Sequence, residues 1–301
     1  MNSYHTFSEA YPYLIKDVLE NGVKGVSPRG MGTRELTGYQ FKIESLEDSI
    51  PRQAARKLNY RFALLEGLLN VWGNYPEDIV LYVNKNMQRF QNEDTKMWDG
   101  AYAPRLHSGY RAIIELLKHD PDTREAVLPI FKLEDLDIAQ ISKDTPCTLT
   151  LQLLIRDGKL NMIATMRSND IYWGTAYDVP QFMMVQRAVA CILGIPTGWY
   201  IHQAGSLHAY DDKISEMEAI FSPEEKDRMM DTSMFPTEWP HMEYSDIRWQ
   251  LDRMFAAISN FIVSGEHDPF ILPLPEPFNT YYWYLTKDKK VKEIVTELNG
   301  E

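Results

Sequence analysis

Cysteine is almost missing from this chain, with only Cys147 and Cys191 among 301 residues. A disulfide framework is thereby excluded as the basis of the fold, and a reducing compartment is the expectation. Long apolar runs are missing too, and none approaches the roughly 20 residues needed to cross a bilayer. The first residues, Met1-Asn2-Ser3-Tyr4-His5, lack the charged stretch and apolar run of a secretory leader. Positive charge is scarce: 31 Lys and Arg stand against 43 Asp and Glu, for a net charge of −12. That balance opposes nonspecific binding to nucleic acid polymers. A mononucleotide is still allowed, because a single phosphate needs only a local group of arginines. No internal repeat, low-complexity tract or linker divides the chain, so residues 1–301 read as a single domain. The expected setting is the cytoplasm, or a host's cytoplasm if the source is viral.

What is present is a chain with 44% hydrophobic residues in helical and alternating patterns. Leu14, Val18 and Leu19 predict a helix over 7–20, stopped by Asn21-Gly22. Residues 26–33 read as a glycine-punctuated loop before a short strand near 39–43. Leu58, Phe62, Leu65, Leu69 and Trp72 predict a helix over 52–72, and another is expected over 109–118. Residues 148–156 alternate, Asp157-Gly158 signals a hairpin, and 159–166 continue as its partner strand. A buried helix over 180–193 would open on Pro180 and close at Gly194, with a strand following near 199–203. Residues 211–234 read as an acidic surface excursion, 246–263 as an amphipathic helix, and the charged stretch after Lys287 as a further helix. The order of elements indicates an α+β fold, with helices around a mostly antiparallel or mixed sheet.

Chemistry concentrates between residues 145 and 210. Cys147 follows Pro146 and opens a strand, where its thiolate would attack soft electrophilic carbon. An isolated cysteine is more often a small buried hydrophobe, and Cys191, set among Ala188, Val189, Ala190, Ile192 and Leu193, is read so. Arg167-Ser168 offers a bidentate cation and a neutral donor suited to a phosphate; a solvated arginine is the plainer reading. Asp178 precedes the helix near Pro180, a position equally suited to an N-cap. His208 and Tyr210 are two apart on an extended segment and share a side of it. Glu66 interrupts the apolar run Ala63-Leu64-Leu65-Glu66-Gly67-Leu68-Leu69, a costly placement unless the carboxylate is used or paired.

Taken in order, Pro146-Cys147, Arg167-Ser168-Asn169-Asp170, Gly174-Thr175-Ala176-Tyr177-Asp178 and His208-Ala209-Tyr210 resemble the thymidylate synthase family. The resemblance runs over roughly residues 7–262. It implies a large mixed sheet flanked by helices, dimerising through the sheet. It also implies a covalent Cys147 nucleophile, Glu66 as the acid–base group and Tyr102 close to the nucleophile. A phosphate site of Arg29, Arg167 and Ser168 is implied, with Arg124 reaching across from a partner subunit, although Glu125 stands where a second arginine is usual. His208 and Tyr210 would hold the sugar, while Trp98, Asp170 and Gly174 would line the site of 5,10-methylenetetrahydrofolate, the co-substrate. No metal is expected.

Three departures from the family pattern carry information. Thr148 follows the nucleophile where histidine is frequent. Ala176 replaces a proline, and a smaller side chain there would leave room for a ribose 2′-hydroxyl. Asp178 replaces the asparagine that reads uracil. An amide matches the N3–H donor and O4 acceptor of uracil, whereas a carboxyl group matches the amino edge of cytosine. The resemblance therefore points to a cytidylate (dCMP or CMP) 5-hydroxymethylase. Reductive methylation of (d)CMP or dUMP and a catalytically retired nucleotide-binding protein stand as alternatives. A Cys-His hydrolase is a further one, for which the sequence offers no hydrolase context.

Overall fold

The computed structural model describes residues 1–27, 30–139, 141–225, 228–230 and 239–286. In chain order the elements are β1 (Asn2–Tyr4), α1 (Phe7–Asn21), β2 (Val23–Val26), β3 (Gly32–Ile43), α2 (Tyr60–Trp72), α3 (Glu77–Val83), α4 (Tyr102–His119), β4 (Val127–Pro129) and α5 (Asp135–Ile138). They continue with β5 (Thr148–Arg156), β6 (Lys159–Met166), β7 (Asn169–Asp170), α6 (Thr175–Leu193), β8 (Thr197–Tyr210), α7 (Ile214–Ala219), α8 (Tyr244–Ser264) and α9 (Phe278–Thr286). The fold is α+β.

The strands form one mixed sheet in the order β1-β3-β8-β6-β5-β4, with β2 beside β3 and β7 beside β8. β8 is its spine. It pairs antiparallel with β3 from Thr33↔Tyr210 to Ile43↔Tyr200. On its other side it runs parallel to β6 and then to β7, where Asp170 sits opposite His208. Alternation buries Tyr200, His202 and Ala204 and, after a one-residue slip at Gly205-Ser206, Leu207 and Ala209, and α6 packs against β6 and β8.

α6 is buried along almost its whole length, and α2 lies across it. Such helices are apolar all round rather than amphipathic. The two meet at Gly67, where a Cβ would stand 2.9 Å from Met184 Cβ. This close crossing brings Glu66, one residue earlier, toward the first turns of α6.

Several boundaries differ from the sequence expectation, each for a local reason. The helix expected over 52–72 starts at Tyr60, because Lys57 takes a left-handed φ of 49° and the Asn59 side chain caps by accepting from Phe62 N–H at 3.1 Å. The helix expected from Pro180 begins at Thr175, with Pro180 inside it, so Asp178 lies in the first turn and does not precede the helix. The helix expected over 109–118 begins at Tyr102, since Pro104 falls in the first turn, where its missing N–H costs nothing. The strands expected near 39–43 and 199–203 are β3 and β8, of 12 and 14 residues, because ladder pairing extends them through polar residues. The helix expected after Lys287 lies outside the described residues.

Candidate active site

Thr145-Pro146-Cys147 leads directly into β5, and Arg167 locks this turn. Its backbone N–H donates to Cys147 O at 2.8 Å, its Nε to Pro146 O at 3.0 Å and its second terminal nitrogen to Thr145 O at 3.1 Å. Arg167 is otherwise exposed, so a fixed positive charge stands at the turn that holds the half-buried Cys147 just before β5. Cys191 differs as expected: it is buried in α6, its Sγ donates to Pro240 O at 2.8 Å, and burial pushes its thiol pKa up.

Glu66, Tyr102, Asp144 and Asp178 share one electrostatic neighbourhood, which Tyr102 links to Cys147. Glu66 retains partial solvent contact, yet protein crowds it. Burial, and then the carboxyls of Asp178 and Asp144, push it well above the usual carboxylate range, while a hydrogen bond from Tyr75 opposes this. Burial raises the Tyr102 phenol well above its ordinary value, with Asp178 and Cys147 adding to the effect. Asp144 accepts Gly100 N–H at 2.9 Å and is raised chiefly by burial. Cys147, Glu66, Tyr102 and Asp178 are thus brought into one electrostatic neighbourhood from four separate parts of the chain.

Asp178 is 7% exposed, and both of its carboxyl oxygens are held by amides. Asn169 Nδ2 donates to Oδ2 at 2.7 Å and Gln181 Nε2 to Oδ1 at 2.9 Å. Burial is the largest influence and pushes its pKa up to about 7; the two amides pull it down, and Asp170 adds to the rise. The amides are themselves anchored. Asn70 Nδ2 donates to Gln181 Oε1 at 2.7 Å, and Asn169 Oδ1 faces Thr175 Oγ1 at 2.6 Å and His202 Nε2 at 3.0 Å. Gly174 is required here, since a Cβ would come within 2.8 Å of Asn169 Nδ2, 2.9 Å of Asp170 O and 3.1 Å of Asp178 Oδ2.

The remaining expected residues distribute unevenly. His208 and Tyr210 are half-buried neighbours on β8 with ring centroids 5.2 Å apart, and Ser206 Oγ lies 3.4 Å from His208 Nδ1. Ser168 is half-buried between Arg167 and Asn169. Asp170 Oδ1 accepts N–H groups from Tyr172 and Trp173 at 2.7 and 3.0 Å, which shapes the turn into α6. Trp98 is 5% exposed, donates to Met87 O at 2.9 Å and stacks edge-on with Tyr75 at 5.2 Å; it approaches Glu66 only through that tyrosine. Ala176 is fully buried and offers no open surface to a sugar in this state. Arg124 is exposed, and its carbonyl accepts from Gln152, five residues beyond Cys147 and roughly 16 Å along the strand. Within one copy it does not join the cluster. Arg29 lies outside the described residues.

Sequence reasoning missed Tyr75, Asp144, Gln181, Asn70 and His202, and assigned Asn169 no role. The amides carried a readable signal, being polar groups in otherwise apolar helices that need partners when buried. His202 carried none, because its importance arises from the β8 register. Among the described residues, no group of three or more His, Cys, Asp or Glu could hold a metal ion, and no helix is long and apolar enough to cross a membrane.

The thymidylate synthase family profile matches residues 107–250, a span that includes Cys147, Arg167, Asp178 and His208 but not Glu66 or Tyr102. The deoxyuridylate hydroxymethyltransferase of Bacillus phage SP01 is 31% identical over 228 residues, which cover 69% of this chain and 59% of that protein. The chain thus spans about 59% of the length of this curated relative. The matched span falls on the part of the fold that holds β5 to β8 and α6, and it is there that the chain is similar to the thymidylate synthase family.

Proposed function

We propose that the chain catalyses folate-dependent 5-hydroxymethylation of a cytidine monophosphate, dCMP or CMP. The observation that carries this reading is Asp178: a buried carboxyl in the neighbourhood of Cys147 and Glu66, held on both oxygens by amide N–H groups. Cytosine presents a 4-amino donor beside N3, and a carboxyl serves both, accepting from the amine and sharing a proton with N3. A uracil O4 would meet an acceptor there, and a buried mismatch of this kind gives strong discrimination.

In this reading Cys147 Sγ bonds to C6 while the ring's displaced electron pair is taken up through C4–N3, with N3 receiving the proton from Asp178. Methylenetetrahydrofolate, when bound, would supply the one-carbon unit to C5, with Glu66 taking the proton that C5 gives up. Water supplies the hydroxyl on that carbon, N3 returns its proton to Asp178, and expulsion of Cys147 restores the C5–C6 double bond of the 5-hydroxymethyl nucleotide. Glu66, whose pKa burial raises, is the group that takes and returns protons. Arg167 and Ser168, joined by Arg29 and by Arg124 from a partner subunit, bind the phosphate. His208 and Tyr210 hold the sugar. Asp170, Gly174 and Trp98 belong to the folate side, where Trp173, 48% exposed, adds an aromatic face.

A second reading, hydroxymethylation of dUMP, is favoured by the activity named for the phage relative. The two separate when methylenetetrahydrofolate is supplied with dCMP, CMP or dUMP in turn and products are identified by mass. Hydroxymethylated cytidylate is expected. Turnover of dUMP alone would overturn the assignment of Asp178, and a methyl product would replace hydroxymethylation by reductive transfer.

A further inference from the structure

Asp178 is the end of a buried chain of hydrogen bonds that runs back into the sheet. Tyr200 OH lies 2.8 Å from His202 Nδ1, and His202 Nε2 lies 3.0 Å from Asn169 Oδ1. Asn169 Nδ2 then reaches Asp178 Oδ2 at 2.7 Å. His202 is 1% exposed and stacks on Phe41 at 5.2 Å, and burial lowers its pKa to about 3. It is therefore neutral at working pH, with one N–H to place on one of two nitrogens.

Two placements of that N–H give a continuous chain, and only the first also gives the Tyr200 hydroxyl an acceptor within it. With the proton on Nε2, His202 donates to Asn169 Oδ1, Tyr200 donates to Nδ1, and the Asn169 NH2 faces Asp178. Thr175 Oγ1 supplies a second donor to Asn169 Oδ1 at 2.6 Å. Any proton on Asp178 then has only the base edge to serve, because both carboxyl oxygens already receive amide N–H groups. With the proton on Nδ1, the Asn169 amide turns over, its NH2 faces His202 Nε2, and its oxygen faces Asp178. Thr175 Oγ1 accommodates this by donating to Asp170 O, 3.2 Å away. In that setting a proton on Asp178 is drawn to Asn169 and is lost to the base.

We infer that Tyr200, His202 and Asn169 form a positioning relay whose Nε2–H tautomer keeps the Asp178 proton available to the pyrimidine N3, and so governs base selectivity. This rests on the cytidylate reading for its consequence but not for its geometry. The titratable groups coupled to Asp178 are Glu66 from α2, Tyr102 from α4, Asp170 from β7 and Tyr200 from β8, while His202 reaches it through Asn169. His202 exchanges donor and acceptor between its two nitrogens without a change of charge, and Tyr200 follows by turning its hydroxyl.

The test begins with the ligand-free protein, where ¹⁵N correlation spectra of the His202 ring report the tautomer and ¹³C spectra report the Asp178 titration. An Nε2–H ring is expected; an Nδ1–H ring or an imidazolium at neutral pH would overturn the relay whatever the enzyme's substrate. His202→Phe is expected to move the Asp178 midpoint upward by about one pH unit. It should lower kcat with dCMP roughly 10²-fold with little change in KM and reduce the dCMP/dUMP preference. His202→Gln, which retains an N–H at that end, should restore most of kcat. Equal losses in both variants, with an unmoved Asp178 titration and an unchanged substrate ratio, would reduce His202 to a structural residue. If the spectra behave as expected while no cytidylate is turned over, the functional reading fails and the relay stands.

Discussion

At the scale of single residues, the two cysteines make opposite predictions. Cys147→Ser is expected to abolish turnover, and a variant that still forms product would remove the covalent step. Cys191→Ser should retain activity, because a hydroxyl can make the same donation to Pro240 O. Glu66→Gln should lower kcat by about 10²- to 10³-fold while nucleotide binding, followed by calorimetry, persists. Asp178 carries a pH signature in stability. Its folded pKa is raised to about 7 from 3.8, so the folded state holds a proton that the unfolded chain releases. Stability is then full below about pH 4 and is lost as pH rises through 7. Relative to wild type, Asp178→Asn should gain stability at pH 8 over pH 4.5 by an amount on the order of 1–3 kcal/mol, read as a larger rise in melting temperature at the higher pH. A gain that is larger at acid pH would contradict the assignment. The same variant should shift preference toward uracil nucleotides.

At the scale of elements, the α2–α6 crossing and the turn into α6 set the site's precision. Gly67→Ala would drive a Cβ to 2.9 Å from Met184 Cβ, so α2 must shift and carry Glu66 with it. A loss of about 1–3 kcal/mol in denaturant unfolding is expected, with a fall in kcat. Gly174→Ala should act the other way round, with activity suffering more than stability, because the added carbon meets Asn169, Asp170 and Asp178 together. Elements with strong local signals were legible in the sequence: the β5–β6 hairpin with Asp157-Gly158, α8, and the body of α2. The full lengths of β3 and β8 were not, because their polar residues are held by each other's ladder rather than by any alternating pattern of their own. The start of α6 was hidden for a similar reason. Pro180 advertised a first turn, while the real one depends on Gly174 and on Thr175 bonding to Asn169. Motif order pointed to Cys147, Arg167 and Asp178 as candidates; the groups that orient Asp178 are distant in sequence, and the sheet register brings His202 to Asn169.

At the scale of the whole molecule, helices α1 and α6 pack on the sheet, and the resemblance implies that a second copy covers the other side. Arg124 lies just before the edge strand β4 and apart from its own Cys147, so a shared site is a concrete expectation. Arg124→Ala and Cys147→Ser, each impaired alone, should regain activity when co-refolded as mixed dimers, because one of the two sites then draws intact residues from both chains. No gain over the separate variants would confine Arg124 to a surface role. The neutral imidazole behind Asn169 also bears on how such a protein diverges. An asparagine at position 178 would set amide against amide, yet moving one hydrogen across the His202 ring and rotating Asn169 removes the conflict without adding charge. The scaffold contains its own adapter, and a lineage could exchange one pyrimidine for the other by a single codon change instead of rebuilding the pocket wall.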